Sequence, residues 1–171
     1  MEFVLQLEKE LTGREALSGA PTGVLLRHYR GQEDIGPFLA LREAAFQGEE
    51  LGVRPWCERD FEREFLLKPW WRPERMWLAE RSAHDGSAAP TSTPIGTVTM
   101  ALRGSGPAAV PVVHWLCVHP RARRLGIGRL LLAALERTAW EAGFRTVALE
   151  THVRWRAANR LYEAHGFCRR D

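Results

Sequence analysis

Two glycines set among arginines, in the run Arg123-Arg124-Leu125-Gly126-Ile127-Gly128-Arg129, stand where an apolar strand gives way to a helix. Glycine lacks a Cβ, so backbone can approach a ligand closely. The first amides of the helix that follows have no partner inside it, and the helix dipole adds positive potential at the same place. Backbone N–H groups from Arg124 to Arg129 would form a concave nest for a diphosphate, with Arg121, Arg123, Arg124 and Arg129 adding positive field. The chemistry indicated is the binding of a pyrophosphate-bearing cofactor. A dinucleotide fingerprint is the competing reading, because strand, Gly126, Gly128, helix and a later Glu150 imitate one. Against it, Leu131 occupies the place of the third glycine, and the basic insert 119–124 parts the strand from the turn. No second parallel half precedes the unit. No Gly-Lys-Ser/Thr phosphate loop occurs.

The elements that must position this turn can be read from periodicity and punctuation. Val112 to Val118 is almost wholly apolar and reads as a central strand buried on both faces. Gly128 to Ala142 reads as a helix with Leu131, Leu135, Thr138 and Ala142 along one side, closed by Gly143. A strand over Thr146 to Thr151, a helix over Trp155 to His165 and a short strand from Phe167 follow. Earlier, Val24 to Tyr29, Met76 to Glu80 and Ile95 to Leu102 read as strands, and Asp34 to Phe46 and Asp60 to Leu67 as helices. Residues 82–94 read as an exposed, mobile hairpin loop, and residues 1–20 as a short polar helix or a loose arm. This order predicts an α/β (α+β) fold: one domain over 21–171, with a mixed, mostly antiparallel twisted sheet flanked by helices.

The totals exclude several classes. A chain of 171 residues with 45% hydrophobic residues supports one core without staples. A formal charge of +3, almost all of the basic side being arginine, is too diffuse to indicate nucleic acid. Cys57, Cys117 and Cys168 are odd in number and form no CxxC pair, which predicts a reducing cytoplasm and no disulfide framework. His119, His152 and His165 lack metal-ligand spacing, so no metal is expected. Neither a secretory leader nor a membrane span is apparent.

The glycine turn, preceded by Val118-His119-Pro120, resembles the R/Q-x-x-G-x-G/A acetyl-CoA motif of the GNAT family of N-acetyltransferases. Asn159-Arg160-Leu161-Tyr162, followed by Gly166-Phe167, is similar to that family's second familiar stretch. Together the two cover about residues 110–168. Val53 to Glu80, through Asp60, Pro69-Trp70-Trp71 and Pro73, shares a few residues with mycothiol-synthase-like members. The resemblance implies an acyl-CoA N-acyltransferase-like fold. It also implies acetyl transfer from acetyl-CoA to a primary amine, by direct attack in a ternary complex.

Roles follow from the resemblance by position. Leu116, Cys117 and Val118 match the strand that faces the thioester and pantetheine. Arg123, Arg124, Leu125, Gly126, Ile127, Gly128 and Arg129 match the pyrophosphate turn. Asn159 would bond the pantetheine arm. Tyr162, which shares its helix face, would protonate the departing thiolate; a phenol stays protonated at neutral pH. His114 stands where many members carry a glutamate base, and histidine can take the amine proton directly or through water. A hydrogen-bonded core histidine is the alternative, with Glu80, Glu150 or water as base. Cys117 reads as a small buried hydrophobe rather than a nucleophile. Trp56, Trp70, Trp71 and Trp77 read as core residues, some of which could wall an acceptor pocket.

Family members normally place two antiparallel strands after Gly-Phe, and only five residues follow Gly166 here. An open sheet edge is therefore expected, covered by the N-terminal arm or by a partner in a homodimer. The acceptor, a small molecule or a peptide amine, is not written in the sequence. A non-catalytic acyl-CoA-binding sensor remains the alternative function, since the usual glutamate is absent.

Overall fold

The computed structural model describes residues 3–13, 19–48, 53–81 and 93–170. Seven strands form one sheet in the order β2-β3-β4-β5-β6-β1-β7. They are β1 (Val4–Glu10), β2 (Val24–His28), β3 (Met76–Arg81), β4 (Gly96–Arg103), β5 (Val110–Val118), β6 (Thr146–His152) and β7 (Cys168–Arg169). Every neighbouring pair is antiparallel except β5 with β6. A single parallel pair inside an antiparallel sheet is not the doubly wound scaffold a dinucleotide fold requires. Helices α1 (Ile35–Phe46), α2 (Glu58–Phe61), α3 (Ile127–Glu141) and α4 (Arg156–Ala164) flank the sheet, and α2 runs on as a π-helical turn, Glu62–Leu66.

Pleat alternation divides the core into two layers. Trp77, Val98, Val113 and Leu149 turn to α3 and α4, and pack with Leu131, Leu135 and Tyr162. Met76 turns the other way, into an aromatic cluster of Phe38, Phe61 and Phe65 from α1 and α2. Helix α3 is apolar on most sides because it is clamped between the sheet and α4: Leu131, Leu132 and Leu135 are fully buried.

The N-terminal segment departs from expectation. Residues 4–10 form a strand, not a helix or arm. The strand pairs along its whole length with β6, from Val4 opposite His152 to Glu10 opposite Thr146, and β7 pairs outside it. Period two was masked because the inward positions are Leu5, Leu7 and Lys9. Lys9 is charged, yet it faces the core layer and meets Glu136 of α3 at 2.8 Å. Strand β1 thus covers the edge beside β6, the N-terminal one of the two covers expected, and removes the structural reason for pairing two copies there. The hairpin loop read over 82–94 falls at residues 82–92 outside the described residues.

The feature that makes a site is the parting of β5 from β6. Their ladder holds only Val112 opposite Ala148 and Val113 opposite Leu149. Beyond His114 the strands diverge. On its other side β5 stays paired with β4, but the register slips between Thr97 and Thr99, where Trp115 takes φ 49°. Such a bulge inserts one residue and re-aims side chains. His114 and Cys117, three apart, therefore both face the α1–α2 layer: His114 packs against Phe65 and Cys117 against Leu41 and Ala45.

Candidate functional site

A cleft of about 1040 Å3 runs from the gap between β5 and β6 to the first turns of α3 and α4. At its α3 end Gly126 adopts φ 83°, a left-handed conformation that glycine takes without a Cβ penalty, and no side chain caps the helix. The first ladder bond is from the Leu130 amide to Gly126 O, at 3.0 Å. The amides of Ile127, Gly128 and Arg129 thus precede the intrahelical ladder and stand at the positive end of the dipole. Gly128 also sets the spacing of α3 and α4, because a Cβ there would lie 2.8 Å from Leu161 Cδ2. Around this end Arg124, Arg129, Arg156 and Arg160 line the cleft, all exposed. The arrangement suits a polyphosphate.

Along the floor, Leu116, Cys117 and Val118 line the gap. The His119 amide bonds Ile95 O on the β4 side at 2.8 Å. Amides alternate along a strand, so the Val118 amide faces the gap and can bond a ligand's amide carbonyl. Tyr162 lines the cleft while 8% exposed, and burial, followed by the neighbouring Cys117, pushes its hydroxyl above the usual phenol value. It is therefore protonated at neutral pH, as a proton donor must be. The thiol of Cys117 is pushed up to about 12 by burial, against the opposing pull of Arg42 and Arg123. A thiol so protonated is no nucleophile.

At the other end stands His114. Its Nε2 is 2.8 Å from Glu64 Oε1, off the direction of a well-aligned hydrogen bond. The same oxygen accepts from Trp115 Nε1 at 3.2 Å. His114 and then Trp115 hold the Glu64 carboxyl below its ordinary value despite burial. Phe46, Trp115 and Trp155 wall this end, with Phe46 5.9 Å from Trp115 and 5.6 Å from Trp155.

Other expected residues are spread more widely. Asn159 receives a hydrogen bond from Thr151 Oγ1 at 2.9 Å and donates to His152 O and Val153 O, fastening α4 to the end of β6; it does not line the cleft. Arg123 lines the cleft, but its Nη2 donates to Ala45 O at 2.7 Å and so ties the turn to the end of α1. Glu80 belongs to a cluster with Arg27 and Asp34 away from the cleft. Glu150 does line it, held by Gln6 Nε2 at 2.8 Å. Trp56, Trp70 and Trp71 join the aromatic layer and Trp77 the opposite one, while Trp115 and Trp155 supply the cleft's wall. Sequence reasoning missed Glu64 and the arginines of α4. For Arg156 and Arg160 a signal existed, since residues four apart share a helix face.

Residues 40–167 match the model of the Acetyltransferase (GNAT) family. The chain belongs to the GNAT acetyltransferase family. A mycothiol acetyltransferase of Stackebrandtia nassauensis is 31% identical over 170 residues, covering 96% of this chain and 51% of that protein. The chain thus spans about half the length of the curated relatives it matches. Among solved structures, a GCN5-related N-acetyltransferase from Sphaerobacter thermophilus superposes with a TM-score of 0.75 at 19% identity, over 98% of this chain and 48% of that one. A NatC complex bound to Gag peptide and CoA gives a TM-score of 0.67 at 21% identity, over 88% and 87%. These structural likenesses show the GNAT fold. Among the described residues no group of His, Cys, Asp or Glu is placed to hold a metal, and no helix is long and apolar enough to cross a membrane.

Proposed function

We propose that this GNAT domain transfers the acetyl group of acetyl-CoA to a primary amine by direct attack in a ternary complex. The observation that carries the reading is the continuity of one cleft. It joins the uncapped α3 terminus, the parted β5 floor, Tyr162 and His114. The amides of Ile127, Gly128 and Arg129 grip the pyrophosphate, and the rim arginines hold the remaining phosphate. The pantetheine arm lies in the gap against Val118, which brings the thioester carbonyl beside the Leu116–Val118 backbone. Preorganised backbone donors at such a developing oxyanion contribute about 3–4 kcal/mol in comparable acyl transfers. The amine nitrogen attacks the carbonyl carbon and its proton passes to His114. The C–S bond breaks, and Tyr162 protonates the departing thiolate.

One detail supports catalysis over a sensor role. A carboxylate, Glu64, reaches His114 from the π-helical turn after α2, so the usual charge is supplied by another element. Burial keeps the Cys117 thiol protonated, which favours direct attack over an acyl-enzyme. The odd number of cysteines and the lack of a CxxC pair support a cytoplasmic setting for the domain. The test is calorimetric titration with coenzyme A, followed by thiol release from acetyl-CoA across a panel of amino-sugars, small amines and peptide N-termini. Binding with amine-dependent release is expected. Binding without release on any amine would favour the sensor.

A further inference from the structure

Glu64 and His114 lie fifty positions apart, on elements whose only common feature is departure from regular geometry. Glu64 sits on the π-helical turn after α2, where the Leu67 amide reaches back to Glu62 O at 2.9 Å. Trp115, beside His114, has φ 49°, a strained conformation for a bulky residue. π-turns and bulges of this kind concentrate at functional sites. Here they converge on one carboxylate oxygen, which accepts from Trp115 Nε1 and touches His114 Nε2. The arrangement is braced from behind. Arg42, only 2% exposed, lies 4.6 Å above the Trp115 ring and 3.8 Å above that of Trp56. Phe65 and Trp70 close on the His114 ring from two sides, each at 5.7 Å.

We infer that Glu64 is a positioning residue for acetyl transfer: its carboxylate orients the His114 ring and balances the imidazolium formed when His114 takes the acceptor's proton. The inference rests on the transferase reading above. Two lone pairs 2.8 Å apart would repel, so the neutral ring carries its proton on Nε2, beside Glu64 though not aligned on it, and leaves Nδ1 as the base. When Nδ1 takes the amine proton, the positive charge arises beside an existing negative one. A carboxylate within this distance favours the charged form of the ring over the neutral one. The other charged groups near the pair are Lys68, which acts on Glu64, Arg42 behind Trp115, and Glu150 on the facing strand lining the same cleft.

The test compares wild type with Glu64→Gln and Glu64→Asp, each saturated with coenzyme A. The His114 imidazole carbon-bound protons are followed by NMR from pH 4.5 to 9. Glu64→Gln should lower the His114 midpoint, and Glu64→Asp should restore part of the difference. Coenzyme A affinity should stay within twofold for all three, which also shows that the variants fold. With the best acceptor found in the thiol-release screen, kcat/KM of Glu64→Gln should fall at least tenfold at pH 7.5. Its acid limb should move down with the NMR midpoint. An unchanged His114 midpoint overturns the proposal. So does a rate loss with an unmoved acid limb and no recovery in Glu64→Asp. If wild type releases no thiol with any amine, the transferase reading fails by itself and Glu64 has no acetyl transfer to serve.

Discussion

Replacing Gly126 with alanine isolates what the turn before α3 contributes. The residue holds φ 83° and ψ 10°, and a Cβ there would meet nothing nearer than Pro21 Cγ at 3.9 Å. The cost is therefore backbone strain alone, about 1–2 kcal/mol for an L-residue in the left-handed region. For a domain of this size each kcal/mol lowers Tm by about 2–4 °C, giving a fall of about 2–8 °C. Relief of the strain rotates the turn, which would carry the Ile127 amide away from the place proposed for the diphosphate. Losing one hydrogen bond to a charged group removes about 1.5–3 kcal/mol of binding, or about 10- to 100-fold in Kd. Thermal melts and calorimetry with coenzyme A read both quantities. Gly143→Ala is the control: φ is 93° at the far end of the same helix, in open space. It should lower Tm similarly and leave Kd unchanged. Equal effects of the two variants on coenzyme A affinity would refute the argument, because strain would then matter without regard to place.

Three further outcomes are expected. Tyr162→Phe should cut kcat by about 100-fold or more, the scale of a lost general acid, with coenzyme A affinity within twofold; a rate near wild type would remove Tyr162 from the mechanism. Lys9→Met strands the fully buried Glu136 carboxylate, left with His165 at 3.2 Å, and should destabilise by about 3 kcal/mol in urea. Lys9→Met with Glu136→Leu should recover most of that loss, and a single variant as stable as wild type would contradict the role given to the pair. Burial raises the Asp34 carboxyl, but hydrogen bonds from Arg27 and the Arg30 amide outweigh it and hold it below its ordinary value. A folded value below the unfolded one contributes stability that is present above about pH 4 and lost as pH falls through the folded value. The Tm difference between wild type and Asp34→Asn should accordingly shrink below pH 4; a constant gap down to pH 3 would contradict it.

The late half of the fold was legible because its signals are local. Gly126 and Gly143 bracket α3, the apolar run at 112–118 marks β5, and Asn159 to Phe167 carries helix and stop together. Strand β1 was not legible: an inward lysine looks like solvent-facing polarity until Glu136 is seen opposite it. Arg42 is a similar case, an arginine on the buried face of α1 that the Trp56 and Trp115 rings and a hydrogen bond to Arg54 O make tolerable. The glycine turn at the α3 end of the cleft is built from consecutive residues and was visible in the sequence, whereas Arg156 and Arg160, which also line that end, come from α4. The acceptor end was not visible, because it is assembled by a bulge and a π-turn. Neither leaves a compositional trace, and nothing in the chain links position 64 to position 114. Asn159 shows the converse: a motif residue was found, and its side chain fastens α4 to β6.

The central claim is that unpaired amides at the start of α3 hold the diphosphate of the acetyl donor. Backbone amide NMR during titration with coenzyme A tests it residue by residue. The largest shifts should fall on Ile127, Gly128 and Arg129, with a second group at Val118 in the parted strand. Saturable binding that leaves those four amides unmoved, or no binding at all, would contradict the account.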